Sequence, residues 1–390
     1  MIIIGINGIV KNMRKIDLRI KLKKIIPNII VLIASLFISL IFLEMILRFI
    51  VPLPLACALL DKDETLVYRN KANIDYLDKN PEYRVKYSTN SNGIRDNEVL
   101  KFDKNEGEIR IFTIGDSFTY GLGLNLEDTF QFKLENKLKN KLNKDVNVIN
   151  GGVGGYGSKQ SLEFLRKEIE DYKPDIVLFN FYNNDVTDDM KYDKFTFENN
   201  CVIAKNIGKA RKFLFFNSRA YLLYESYKNY LTQGIRPVRN ILYLIRNLLN
   251  IEAKIGTPIL EKQYSDELKV GWNNTLSNIK EMKSLCQKNY CDFILVYIPD
   301  RIQVNINFRK DYLIRNNLNE GNFDFQKPGI ILGNFSKKNK IIYINLMEEF
   351  DKLKIDNNNL QLYYQFDPHF NKNGAEVWSK IVFEKVIEIS

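Results

Sequence analysis

A chain of 390 residues with 45% apolar content can hold one large domain plus an appendage, with a core of ordinary globular composition. Its net charge of +10 does not describe a nucleic-acid binder. Seven basic residues against Asp17 crowd into residues 1–24, and no RNA- or DNA-binding signature accompanies the rest. Four cysteines and one histidine, His369, are too few for a disulfide-built scaffold or a multi-histidine zinc site, so no metal or cofactor is expected.

Residues 1–24 read as a basic cytoplasmic tail and 25–50 as a transmembrane anchor. From Ile25 to Leu43 no residue is charged, about the length a helix needs to cross a bilayer core. Glu44 and Arg48 follow at a spacing that allows pairing near the interface. Basic residues precede the run, while Asp61, Asp63 and Glu64 follow it. The positive-inside rule then predicts a cytoplasmic N-terminus and a periplasmic or extracellular remainder. A cleaved signal peptide is the alternative, with small residues and a lipoprotein-like Cys57 at Pro54–Ala58, but its apolar region is usually shorter.

Residues 51–108 are polar and mixed, and read as a lead-in segment. Its Tyr87–Asp96 stretch holds an Asn/Gly turn between extended pieces. That stretch is expected to position the first strand and to carry no chemistry.

From residue 109 the pattern changes to alternating strands and helices. Ile109–Ile114 reads as a buried strand ending at Gly115-Asp116-Ser117, and Glu127–Leu142 as a helix. Val146–Ile149 is a second strand, running into the glycine-rich Asn150–Gly157, then a helix Lys159–Glu170. Asp175–Phe181 is a third strand, ending at Tyr182-Asn183-Asn184-Asp185. This βαβαβ order predicts a parallel sheet with right-handed crossovers. Residues 186–260 break the alternation and read as a helical insertion. Its apolar, basic stretches Arg219–Leu231 and Val238–Ile251 are expected to pack on the core, cap the site or lie on a membrane surface. A helix Ser265–Gln287 and a strand Phe293–Ile298 resume the pattern. Cys286 and Cys291 flank the turn between them, either paired or free. The Asn-rich residues 301–336 suggest a surface excursion. Lys340–Leu346 is the fifth strand, Asp367-Pro368-His369 follows, and Asn371–Ile387 is the last helix.

Gly-Asp-Ser after a first strand, the glycine loop, Asn-Asp after a third strand and Asp-Pro-His near the end form four ordered blocks. On them the sequence resembles the SGNH (GDSL-type) hydrolase superfamily, in its membrane-anchored bacterial group, over about residues 87–390. The resemblance implies a flavodoxin-like three-layer α/β fold over 109–390. It implies Ser117 as nucleophile, His369 as general base and Asp367 as the group that orients the imidazole. It implies an oxyanion hole from the Ser117 N–H, the Gly155 N–H and the Asn184 amide. Gly152 and Gly154 compete with Gly155, and Asn183 with Asn184. Tyr182 stands where the family usually has glycine. Asp116 and Asp185 are expected to brace loops. Ser117 lies in no Gly-x-Ser-x-Gly elbow, which argues against the α/β-hydrolase fold.

The resulting expectation is an esterase or O-acyltransferase acting outside the membrane on O-acetyl groups of an envelope or secreted glycan. Its partners are that ester substrate and, through residues 25–50, the membrane, with no nucleic acid. A lipid esterase and a catalytically silent polysaccharide-assembly protein are the rivals.

Overall fold

A computed structural model describes residues 2–50, 54–79, 82–224, 258–352, 361–365 and 367–389. Helix α1 (Ile2–Ile50) is continuous through the expected tail and anchor. Its segment Ile25–Phe49 contains an 18-residue window with a mean hydropathy of 2.8. The apolar side chains from Ile25 to Leu43 are exposed. The segment is long and apolar enough to cross a membrane.

The lead-in folds into helix α2 (Leu55–Leu59) and two antiparallel hairpins. They are β1 (Leu60–Asp63) with β2 (Val67–Asn70), and β3 (Asp75–Lys79) with β4 (Arg84–Ser88). Next come β5 (Ile109–Gly115), the short helix α3 (Ser117–Tyr120), α4 (Phe130–Leu142), β6 (Val146–Gly152) and α5 (Ser158–Tyr172). After them lie β7 (Ile176–Tyr182), α6 (Asp185–Asp189), the hairpin β8 (Phe195–Glu198)/β9 (Cys201–Ala204) and α7 (Lys209–Asn217). The long α8 (Asp266–Lys288) leads to β10 (Asp292–Ile298), α9 (Arg301–Val304), α10 (Ile306–Arg315) and α11 (Lys327–Asn339). The chain closes with β11 (Ile342–Asn345), α12 (Leu346–Lys352) and α13 (Lys372–Ile389).

The central sheet is parallel, in the order β6–β5–β7–β10–β11. Numbered along the sheet strands alone, this is the flavodoxin-like order, whose switch point lies between β5 and β7. The strands are apolar runs because both faces are covered. In β7, Val177 and Phe179 enter one core with α5 and α8, while Leu178 between them enters the other with α4 and α13. That alternation makes three layers, as expected.

Several local expectations are corrected. The helix expected at 127–142 is split. Leu126–Asp128 forms a 3-10 turn, and Thr129 caps a separate α4 by accepting from the Phe132 N–H at 3.4 Å. Residues 301–336 are no polar excursion: they carry α9, α10 and most of α11, which bury Ile302, Tyr312, Leu313 and Leu332. Their asparagines sit at the ends of the helices: Asn305 caps α10, and Asn316 follows its last residue. Cys286 and Cys291 are free and buried, whereas Cys57 and Cys201 form a disulfide. The insertion opens with the β8/β9 hairpin and α7. Most of the stretches expected at 219–231 and 238–251 lie outside the described residues, and residues 219–224 are helical.

Candidate active site

The carboxyl end of β5 is built so that a serine follows it directly. Gly115 has φ +149°, and a Cβ there would lie 2.3 Å from Thr119 Oγ1 and 2.7 Å from the Asn180 carbonyl oxygen. Only glycine leaves room for α3 to start so close to β7. Asp116 then caps α3, accepting from the Phe118 N–H at 2.9 Å. Ser117 is the first helical residue, so its own N–H has no partner within the helix.

The chain's one histidine comes back to this point from 252 residues away. Ser117 Oγ lies 2.7 Å from His369 Nε2. His369 Nδ1 contacts Asp367 Oδ1, and the same oxygen accepts the His369 N–H at 3.1 Å. With the Nδ1 proton held by a carboxylate, Nε2 is left to accept from the serine hydroxyl. Asp367 is buried, and His369 is mostly so.

Of the other expected donors, Gly155 sits in the loop after β6 with φ +80°. Among the described residues, nothing accepts the Ser117 or Gly155 N–H. Asn184 Nδ2 donates to Asp188 Oδ2 at 2.9 Å, and the Asn184 side chain also hydrogen-bonds the Asp116 carboxyl, which lowers the pKa of that group. Asn183 is otherwise engaged: its Nδ2 donates to Gln303 Oε1 at 2.7 Å, and its Oδ1 accepts from the Tyr297 hydroxyl at 3.0 Å. Tyr182, in place of the family's usual glycine, donates to Asp300 Oδ2 at 2.6 Å. Its ring lies 4.3 Å from that of Phe118, which in turn lies 4.8 Å from the His369 ring.

The carboxyls beneath the site are perturbed by burial. Asp116 is pushed up to about 6, opposed by His369 and by the Phe118 and Thr119 N–H groups. Burial also pushes Asp188 up to about 7, against Lys191 and with Asp116 and Asp189 adding to the rise. Asp185, fully buried, lies well above the ordinary carboxyl range for the same reason. Among the described residues, no cluster could hold a metal ion.

The loops are held by residues to which the sequence pattern assigned no such role. The Arg95 guanidinium is buried between Tyr87 and Tyr120, 5.0 and 4.7 Å from the ring centroids. It donates to the carbonyls of Tyr120 (2.5 Å), Gly121 (2.6 Å) and Leu124. The lead-in thus clamps the turn after Ser117 and not the strand before it. From β2, Asn70 donates to the Gly152 carbonyl at 2.9 Å and Tyr68 to that of Gly154 at 3.3 Å. Glu82 accepts the Asp367 N–H at 2.7 Å, and Arg301 donates to the carbonyl of Tyr364 at 2.7 Å. One signal was legible: Asp300-x-x-Gln303 has capping-box spacing, and the two do form that box at the start of α9.

Comparison with known proteins follows from this geometry. The model of the GDSL-like lipase/acylhydrolase family matches residues 111–382. No curated protein matches the sequence. Among solved structures, the chain is similar to a GDSL-like lipase from Bacteroides thetaiotaomicron, at 14% identity and a TM-score of 0.38. That match covers 75% of this chain and 93% of the other. It is similar to an acetyl xylan esterase, at 15% identity and a TM-score of 0.37 over 71% and 100% of the two chains. A catalytic mutant of an acetylxylan esterase from Geobacillus stearothermophilus gives 12% identity and a TM-score of 0.38 over 71% and 94%.

Proposed function

The chain belongs to the GDSL-like lipase/acylhydrolase family and is an SGNH-type ester hydrolase; from that premise we propose that Ser117, His369 and Asp367 are its catalytic triad. The observation that carries the assignment is the 2.7 Å separation of Ser117 Oγ and His369 Nε2, with Asp367 on the far ring nitrogen. Ser117 Oγ attacks the ester carbonyl as His369 takes its proton. The oxyanion forms against the Ser117 and Gly155 N–H groups and the Asn184 side-chain amide. His369 gives the proton to the departing alcohol, leaving an acyl-Ser117. Water, deprotonated by His369, then releases the acid. An alcohol in place of that water makes the same site an acyltransferase.

The substrate we propose is a short acyl ester, an O-acetyl group on an envelope or secreted glycan. The cavity that touches His369 has a volume of ≈ 10 Å³ and is lined by Phe118, Phe130, Phe370 and Trp378. Ser117, Gly155 and Asn184 do not line it, so the acetyl reading rests on the family resemblance and not on this space. The Cys57–Cys201 bridge supports an oxidising location for the domain, with α1 as its membrane anchor and the N-terminus on the cytoplasmic side.

The test is hydrolysis of p-nitrophenyl acetate, together with acetate release from O-acetylated polysaccharide. Ser117→Ala and His369→Ala should each abolish nearly all turnover, and the double variant should lose little more, because such residues act as a unit. A serine-directed phosphonate should label Ser117 in the wild type alone. Full activity in Ser117→Ala would refute the assignment. Preference for long-chain esters would overturn the acetyl reading.

A further inference from the structure

The anchor helix does not simply end where the domain begins. Glu44 closes the uncharged run Ile25–Leu43, and its carboxylate caps another helix far along the chain. Glu44 Oε1 accepts the Arg219 N–H at 2.8 Å. Oε2 accepts the Ala220 N–H at 3.2 Å and the Ser218 hydroxyl at 3.0 Å. Arg48 adds a bond from Nη2 to the Asn217 carbonyl at 3.0 Å. These bonds fix the turn at residues 217–220 to the depth of Glu44.

That depth follows from elementary geometry. The uncharged run measures about 28 Å at 1.5 Å per residue, close to the thickness of a bilayer's hydrocarbon core. With α1 across a bilayer, Glu44 therefore lies where hydrocarbon meets headgroup. The end of α7 at Asn217 thus lies at the same level, with Phe213 and Leu214 within about one turn of it. It is suited to that place. Phe213 is 65% exposed and Leu214 40%, Phe49 at the end of α1 is 91% exposed, and Tyr224 57%. Lys209, Arg211 and Lys212 precede them, with no acidic residue in α7. An apolar edge beside basic residues is the composition of a helix lying in the membrane interface. The other edge of α7 faces the domain. Phe215 and Phe216 pack on Cys57, Cys201 and Ile203, around the bridge that joins α2 to the insertion.

We propose that α7 is an interfacial helix seated in the bilayer that α1 crosses. Phe213 and Leu214 enter the acyl boundary, and the exposed Lys209 and Arg211 meet lipid phosphates, while Lys212 is held by Glu198. The domain is then held to the membrane at the Glu44 cap, at the Cys57–Cys201 bridge and along α7, so its orientation to the surface is fixed. The proposal rests on α1 being the membrane anchor, and the experiment separates the two.

Full-length chain is reconstituted in vesicles of phosphatidylglycerol and phosphatidylcholine, the latter with or without bromine at both the headgroup end and the far end of its acyl chains. Tryptophan emission is read in Leu36→Trp and Phe213→Trp, after subtracting the two native tryptophans. Loss of most of the added emission on bromination in both variants is the expected result. Quenching in Leu36→Trp without quenching in Phe213→Trp overturns the proposal and leaves the anchor standing. No quenching in Leu36→Trp overturns both. A Phe213→Trp signal that is blue-shifted but unquenched places a second copy of the chain over the patch, which also overturns it. Leu214→Trp repeats the measurement should Phe213→Trp fail to fold.

Discussion

Replacing Arg95 with methionine removes a buried charge while keeping most of the side-chain volume. The cost can be worked from its partners. The Tyr120 carbonyl keeps a second donor, Asn150 Nδ2 at 3.3 Å, and the Gly121 carbonyl keeps the Leu124 N–H at 3.1 Å. The Leu124 carbonyl has no other donor among the described residues. One acceptor is fully orphaned, at a cost of about 1–3 kcal/mol, and two are weakened at about 0.5–1 each. Two cation–π contacts add about 0.5–1 kcal/mol each. Returning a buried guanidinium's worth of desolvation offsets part of this, so the expected net loss is about 3–4 kcal/mol. That is a large share of the ~5–15 kcal/mol that stabilises a typical domain. Urea unfolding of the full chain, followed by emission from the buried Trp272 and Trp378, should show the midpoint lowered by roughly 1 M or more. Turnover should fall as well, by about 100-fold, because the clamp holds the turn that begins at Ser117 and small misplacements are costly. Arg95→Lys should fall between the two, since an ammonium cannot fork across three carbonyls. An unchanged midpoint and turnover in Arg95→Met would refute the argument that the lead-in holds the nucleophile loop.

Asn184→Ala should lower turnover on a small acetyl ester by about 100- to 1,000-fold with the fold intact, the usual loss for one oxyanion donor. Asn183→Ala should instead lower the unfolding midpoint, through its bonds to Gln303 and Tyr297, and affect turnover less; reversed kinetic effects would exchange their roles. Asp116 has a folded pKa of about 6 against an ordinary 3.8, so its contribution to stability is full below about 3.8 and is lost as pH rises through about 6. Asp116→Asn keeps the cap without the ionisation. Its stability relative to wild type should therefore rise by about 2 kcal/mol between pH 4 and pH 7; parallel pH profiles would refute the point.

The sheet was readable because each of its strands is a local apolar run. Ile109–Ile114 and Phe293–Ile298 declare themselves without knowledge of their neighbours, and each polar turn after a strand marks a carboxyl end. Their parallel direction followed from the strand–helix alternation, whereas the flavodoxin-like order came as an expectation from the family resemblance. Long-range pairings were not readable. Nothing near Cys57 or Cys201 announces the other, whereas Cys286 and Cys291 attracted attention only by standing close in sequence. Arg95 was missed for a related reason. An arginine after an Asn-Gly turn looks solvated until three carbonyls and two tyrosine rings close over it. Residues 301–336 misled because asparagine marks helix ends as readily as open loops. That four separated blocks converge was an expectation from resemblance, since no local pattern states the distance from Ser117 to His369.

The Cys57–Cys201 bridge closes the intervening chain into a ring, and the ring's contents bear on the order of assembly. Ser117, Gly155 and Asn184 lie inside it, while Asp367 and His369 lie outside. If the part of the domain next to the proposed anchor is exported first, the ring can be sealed before the last helix has crossed. The proposed nucleophile and oxyanion donors would then be gathered in a covalently closed unit that still lacks its proposed base. Hydrolytic power would arrive only with the final stretch of polypeptide, so a chain interrupted before residue 367 would leave an inert ring at the membrane and no stray esterase.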